Sequence, residues 1–531
     1  MVWCRFNIIK VKYSIVVSLK LSPVFSVCLI SVGLVVFDSQ RIAAQETAPI
    51  EVFTEKHLKA DSLVEWKHRP SVFPWLLTGE LGALDGKQIG NYGSVGLGYE
   101  NISGDFKRPQ EAQRIQQYGL RAQGYRSLRN WRFYGEFAYQ KLKRDSINFS
   151  NVARPYEGSP FITADSVGGN WKADQLKGIL QVAYPAVGRW SFATSVDYLT
   201  EQGSRGNDPR PLYRYLDLEV AQSIGYQIGG QSRLTLRGSY RRLTETIETG
   251  QFSRSNSRLY SLRGYGTYDF VPVVSASRYN DGSAMKGGLF FMQQNEIDIW
   301  LLGSDVAFLV QDAEEGITED PVTKVLRPLL VGGYDELQVH AYGGYQRSKP
   351  SGGWSFNFDA TLKDGKAFDP RFNGVNAERF LWNIATQAAY WKPRANGGQW
   401  RLAYHTHMGY LNHYELMTGT DWDALNFEQV LELDLRIGLR KSASVSVVPR
   451  MGYSFPLKDA LSITRPTVIS NLLEVPDHAI MSSSYLLAGM GTSVTFPVNK
   501  QWYRLTASYD LRSTKNTLQR NRSKISINMV F

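Results

Sequence analysis

Cysteine is nearly missing from this chain. Its two cysteines, Cys4 and Cys28, fall near the start, and none follows. The remainder can form no disulfide, so packing or backbone pairing must hold it together. Long apolar runs are equally scarce. After residue 45 no segment reaches the ~18 apolar residues of a spanning helix, and mean hydropathy is −0.29. Those two facts exclude a helical membrane protein. Clustered basic charge is absent too. The formal net charge is +11, but its basic residues are dispersed, which argues against a nucleic-acid partner. Amphipathic helices are few. No His-Glu-x-x-His and no Gly-x-Ser-x-Gly occurs, so the reading is not an enzyme and assigns no cofactor.

What the chain does have is aromatics. It holds 29 Tyr, 25 Phe and 13 Trp, with 47 Gly. Tyr, Phe and Trp favour pleated, half-buried surfaces, so composition leans toward β structure.

The N-terminus reads as a secretory signal over residues 1–45. Arg5, Lys10, Lys12 and Lys20 precede an apolar run from Leu21 to Phe37, and small residues Ala43 and Ala44 follow. The charges of this segment account for +4, which leaves about +7 on the rest. Residues 46–88 mix charges with Trp66, Phe73 and Trp75, and read either as a periplasmic extension or as a plug.

From residue 89 onward, strand-like runs recur. In the stretch Phe427–Arg440, Leu431, Leu433, Leu435, Ile437 and Leu439 share one face, and Glu432, Asp434, Arg436 and Arg440 the other. Leu234, Leu236 and Tyr240 likewise oppose Arg233, Arg237 and Arg241. Trp354, Phe356 and Phe358 oppose Ser355, Asn357 and Asp359. The runs exceed the usual strand of about five or six residues and match the ~9–11 that cross a bilayer at a tilt. Short turns near 127–130, 185–189, 229–231, 349–352, 393–398, 441–442 and 498–500 alternate with longer polar connections, among them 142–173, 248–257, 311–335, 365–377, 412–426 and 458–479. The pattern predicts an all-β fold: one transmembrane antiparallel β-barrel over residues 89–531, of about 18 strands within a range of 16 to 20. One of these strands is placed at 258–270, and residues 271–296 either hide two further short strands or fold inward.

Tryptophans open strands just after short turns, at Trp131, Trp190, Trp354 and Trp400. With Phe531 they are predicted to form an aromatic girdle at the membrane–water boundary, where a ring is buried and its N–H wet. The closing run K-I-S-I-N-M-V-F puts Ile525, Ile527, Met529 and Phe531 on one face.

On these features the chain resembles bacterial outer-membrane β-barrels, and its layout looks like an uncharacterised Bacteroidota-type barrel family. The resemblance implies residence in the bacterial outer membrane, contact with outer-membrane lipid, and recognition of the final strand by the barrel-assembly machinery. It also implies a lumen lined by the polar parity: Arg121, Arg132, Arg233, Arg237, Arg241, Arg401, His405, His407, Glu432, Asp434, Arg436, Arg450, Arg504 and Asp510. Such a wall is either a conduit for polar, anionic or sugar-like solutes or an internal network of paired charges. His405 and His407 lack accompanying ligands, so they read as polar lining and not as a metal site. Two functions stay open. One is a porin-like or solute-transport channel. The other is a non-conducting barrel serving as a partner of an outer-membrane transporter or surface complex.

Overall fold

The computed structural model describes residues 8–11, 14–17, 84, 91–250, 258–271, 275–319, 326–394, 398–439, 443–499 and 501–530. The first 35 residues form a unit of their own, in which β1 (Ile8–Val11) and β2 (Ser14–Val17) pair as an antiparallel hairpin. The predicted signal otherwise lies outside the described residues, as do the segment 46–88 apart from Leu84, and Phe531.

The second unit is a closed antiparallel barrel of 18 strands. In chain order they begin with β3 (Tyr92–Ser103), β4 (Arg114–Leu128) and β5 (Trp131–Ile147). After the short β6 (Thr163–Asp165), which lies outside the barrel, come β7 (Gly169–Ala183), β8 (Trp190–Arg205), β9 (Leu212–Ile228) and β10 (Ser232–Gly250). The short β11 (Leu259–Leu262) and β12 (Tyr268–Val271) follow, again outside the barrel. The barrel resumes with β13 (Ser275–Gln294), β14 (Asp298–Glu319), β15 (Leu326–Lys349), β16 (Gly352–Asp369), β17 (Gly374–Pro393) and β18 (Gln399–Glu415). It finishes with β19 (Thr420–Gly438), β20 (Ser444–Ile463), β21 (Tyr485–Val498), β22 (Gln501–Thr514) and β23 (Gln519–Val530). Neighbours in sequence pair around the ring, and β23 pairs with β3 to close it, Ile527 opposite Leu97. Closure satisfies every edge, which an open sheet in lipid cannot do.

Burial alternates along the strands. On β10, Leu234, Leu236 and Tyr240 are exposed, while Thr235, Arg237, Ser239 and Arg241 are buried. Met285 is 71 % exposed and Met451 68 %. An outward ring of such side chains has no stable place in water, because each leaves its apolar area unburied.

Two expectations are corrected. The strand placed at 258–270 is not part of the barrel. Its two halves are β11 and β12, which pair with each other, and β11 also pairs with β6, in a separate three-stranded sheet of order β12-β11-β6. The barrel strand comes next, as β13, so among the described residues of that segment one long strand, Ser275–Gln294, stands where two short ones or an inward fold were expected. The connections placed at 311–335, 365–377 and 412–426 are also much tighter than expected, because the flanking strands run on well past the apolar belt. The acidic stretch from Asp312 accordingly lies mostly in β14.

Candidate functional site

The mid-barrel wall is built by the inward parity of the strands. Arg121 Nη2 lies 2.7 Å from Glu136 Oε2, and Lys177 reaches the other carboxylate oxygen at 3.7 Å. Arg241 binds Asp217 through both oxygens, at 2.9 and 2.8 Å, across β9 and β10. Arg401 pairs with Glu432 at 3.5 Å, and Arg450 with Asp510 at 3.3 Å. Asp434 accepts from Ser446 Oγ at 2.6 Å. Arg233 donates to Gln227 and Arg504 to Ser493. Arg132 sits beside the short turn and donates to the carbonyl oxygens of Arg129 and Trp131. Arg237, His405 and His407 are buried in the same wall, and Arg436 lies half-buried on β19. Where a partner is resolved, the guanidinium meets a carboxylate, an amide oxygen, a backbone carbonyl or a hydroxyl. Residues not singled out from sequence join in. Lys286 approaches Asp305 at 3.3 Å, and His340 lies between Asp305 and Asp359. Their inward parity on β13, β14, β15 and β16 is the signal that points to them. Among the described residues no group of three or more His, Cys, Asp or Glu side chains is arranged to hold a metal ion.

The predicted girdle residues stand at the short-turn rim. Trp131, Trp190 and Trp354 are 37, 49 and 44 % exposed. Each meets an aromatic neighbour: Trp131 meets Tyr184 at 5.0 Å, Trp190 meets Tyr226 at 4.8 Å, and Trp354 meets Tyr345 at 4.7 Å. Trp400 lies 5.4 Å from Tyr390. Trp300, not anticipated, also meets Tyr345, in a tilted arrangement at 4.2 Å.

The far end of the barrel is capped, which sequence reading missed. The three-stranded sheet and a π-helical turn (Ser470–Glu474) leading into helix α1 (Val475–Met481) pack against inward side chains of the wall. One apolar cluster joins Val152, Ile162, Ala164, Tyr260, Leu262, Ile469 and Leu473 of the cap to Leu142, Trp171, Tyr213 and Ile247 of the wall. Here the inward positions turn apolar because there is something inside to bury them.

Buried charges fasten the cap to the wall. Arg263 binds Asp369 through Nε at 2.8 Å and Nη2 at 2.6 Å, and also donates to the carbonyl oxygen of Val331. Arg205 holds Asp165 at 2.7 Å. Arg108 forms a two-pronged pair with Asp477 of α1, at 2.7 and 2.6 Å, and stacks 3.5 Å above the Tyr156 ring. Burial opposes the charge on Arg108, but the Asp477 carboxylate outweighs it and keeps the guanidinium pKa above its ordinary value. Glu415, at the end of β18, accepts the backbone N–H groups of Tyr265, Gly266 and Thr267 at 2.6, 2.7 and 2.9 Å. Gly266 is closely covered there: a Cβ would lie 2.3 Å from Ser470 Oγ and 2.7 Å from Glu474 Oε2. Glu474 is 3 % exposed; burial, with the Glu415 carboxyl adding, raises its pKa to about 7.

At the short-turn end, Leu84 is fully buried among inward side chains that include Tyr125, Tyr134, Phe290 and Leu301.

A protein-family model described as "Family of unknown function (DUF6850)" matches residues 82–531. The chain belongs to that family. The match starts just before Leu84 and takes in the barrel and cap of this DUF6850 chain. No curated protein matches it in sequence. Among solved structures, it is similar to the siderophore receptor PiuA from Acinetobacter baumannii, at 7 % identity over 84 % of this chain and 82 % of that one, with a TM-score of 0.36. It is similar to the copper transporter OprC at 8 % identity, over 84 % and 81 %, with a TM-score of 0.35. It is also similar to the outer membrane protein opdK from Pseudomonas aeruginosa at 9 % identity, over 83 % and 99 %, with a TM-score of 0.32.

Proposed function

We propose that this protein is an outer-membrane barrel that passes a polar solute through a lumen closed in the state described. The observation that carries the membrane reading is the outward face. On β5 it runs Trp131, Phe133, Phe137, Tyr139 and then changes to Lys141 and Lys143. On β10 it runs Leu234, Leu236, Tyr240 and then changes to Arg242. From Trp131 to Tyr139 the strand covers about 27 Å at ~3.4 Å per residue, which at a tilt of ~35–45° spans about 19–22 Å of an apolar band of about 25 Å. Beyond this band the outward face carries exposed ion pairs, Lys141 with Asp174, Arg242 with Asp281, and Lys366 with Glu378. In this reading the short-turn rim faces the periplasm, the cap faces outward, and residues 1–45 serve as an export signal. Outer-membrane lipid is then the partner of the apolar face, and the last strand is what the assembly machinery reads.

The polar wall supports passage of a polar solute, and the bolted cap supports a closed resting state. The cap together with the buried Leu84 also supports a second reading, a sealed barrel that serves a neighbouring transporter. Planar-bilayer recording tests both. The native protein is expected to be silent, and a variant with a loosened cap, Arg263→Ala, to conduct. Large steady openings of the native protein would rule out the closed state. Silence of both, with a barrel that still migrates faster unboiled than boiled, would favour the partner role.

A further inference from the structure

The cap encloses a cavity of about 60 Å³ bounded by the wall residues Arg379, His413 and Trp422 and by the cap residues Tyr156, Tyr265 and Glu474. Several polar atoms on its lining have no hydrogen-bond partner within the protein: the indole Nε1 of Trp422, both ring nitrogens of His413, and Oε1 of Glu474. These side chains are 1, 4 and 3 % exposed. Native proteins rarely leave such groups unmet, because burial strips them of water without replacing it. The rings themselves are fixed. His413 stacks on Tyr265 with centroids 4.0 Å apart, and Trp422 sits edge-on to His413 at 4.6 Å and to His478 at 5.6 Å.

The unmet atoms are of mixed kind. The indole N–H only donates, a neutral imidazole offers one donor and one acceptor, and a carboxyl accepts when ionised and can also donate when protonated. A simple anion would answer the donors but face Glu474. A metal cation would answer the acceptors but face the indole N–H and Arg379. A hydroxyl both donates and accepts, so adjacent hydroxyls answer the whole set. The aromatic rings, with Leu262 and Leu473 beside them, suit the C–H faces of the same ligand. At ~10–15 Å³ for each water-sized occupant the cavity takes roughly four to six, the size of a polyol or of one edge of a sugar ring.

We propose that this cavity binds the hydroxyl-bearing edge of a small polyol or sugar, with Trp422 donating, Glu474 accepting and His413 serving in either sense. The inference rests on the role in carrying a polar solute and gives that solute a class. Saturation-transfer NMR on the full-length protein folded in detergent tests it, with glycerol and glucose as probes and inorganic phosphate as the contrast. Both polyols are expected to bind and phosphate to be silent. Trp422→Phe keeps a ring for His413 and His478 to pack on and removes only the N–H. It is expected to weaken polyol binding about tenfold, the weight of one buried hydrogen bond, with gel migration of the unboiled barrel unchanged. Equal polyol binding by the native protein and Trp422→Phe would overturn the proposal. So would binding of phosphate alone, or of neither polyol. Because binding is read in micelles, with no membrane to cross, solute flux into liposomes carrying the cap-loosened Arg263→Ala variant is judged separately. Flux without binding rejects the cavity, and binding without flux rejects the transport role.

Discussion

The two rims of this barrel are held by different physics. At the short-turn rim, strands join through tight turns, as at Gly229, whose φ of +68° suits glycine, and the outer surface carries aromatic pairs half open to their surroundings. At the opposite rim, strands of up to 24 residues rise past the apolar belt, and the connections fold inward and are fastened by buried ion pairs. Aromatic contacts at a boundary lose little when one partner goes. A buried ion pair that loses one partner strands the other charge in a poor solvent. The cap is thus both the more specifically built end and the more easily broken.

Arg263→Ala should give the largest effect. It leaves Asp369, fully buried, without its main guanidinium, at a local cost of about 3–5 kcal/mol. Limited proteolysis should cut the connection between β10 and β13 in the variant and spare it in the native protein. Glu415→Gln should follow, at about 2–3 kcal/mol, since one acceptor oxygen of the three N–H groups becomes an amide donor. Hydrogen exchange at Tyr265, Gly266 and Thr267 reads this directly.

The Glu474 carboxyl, with a pKa raised to about 7 against an ordinary 4.5, binds its proton more tightly in the folded cap than in the unfolded chain. Cap stability from this group is therefore fully present below pH about 4.5 and is lost as pH rises through about 7. The charged groups acting on it, Glu415 and Asp477, both hinder ionisation, and hydrogen bonds from Ser470 and Thr420 partly offset them. Protease protection should decline between pH 5 and pH 8 by the equivalent of ~1–2 kcal/mol, and Glu474→Gln should flatten that profile. At the other rim, Trp190→Ala should cost only about 1 kcal/mol in refolding titrations, the value of one aromatic pair. Lys366→Ala, which removes an exposed pair with Glu378, should change stability by less than about 1 kcal/mol. If Trp190→Ala proved as damaging as Arg263→Ala, the contrast between the rims would fail.

The mid-barrel was legible because its two faces meet different solvents. Alternation such as Leu431, Glu432, Leu433, Asp434 carries the strand, its register and the side facing in. The cap was not legible for two reasons. Its fastenings join residues far apart: Arg108 and Asp477 are separated by 369 positions, and no local pattern encodes such a pair. Its strands also look like wall strands. Leu259–Leu262 has the residues of a barrel strand but pairs with Thr163–Asp165 instead, a choice made by tertiary contacts. One local sign was available. In K-L-K at Lys141, Leu142 and Lys143, the apolar residue sits on the parity that lower down holds Glu136. Tyr213, Tyr215 and Ile247 show the same inversion. An inward face that turns apolar implies an occupant.

The seam between β23 and β3 has a consequence for the order of assembly. Arg520 donates to the carbonyl oxygen of Gly104 across 416 positions, so the ring is completed by contacts between residues far apart in the chain, and contacts of that kind form slowly. Arg108 lies just beyond β3, and Asp477 sits in the connection between β20 and β21. Their pairing brings the two sides of the nascent sheet together close to the seam. The cap thus doubles as a clasp on the closing ring, and its resistance to protease during refolding should serve as a clock for the moment the circle is joined.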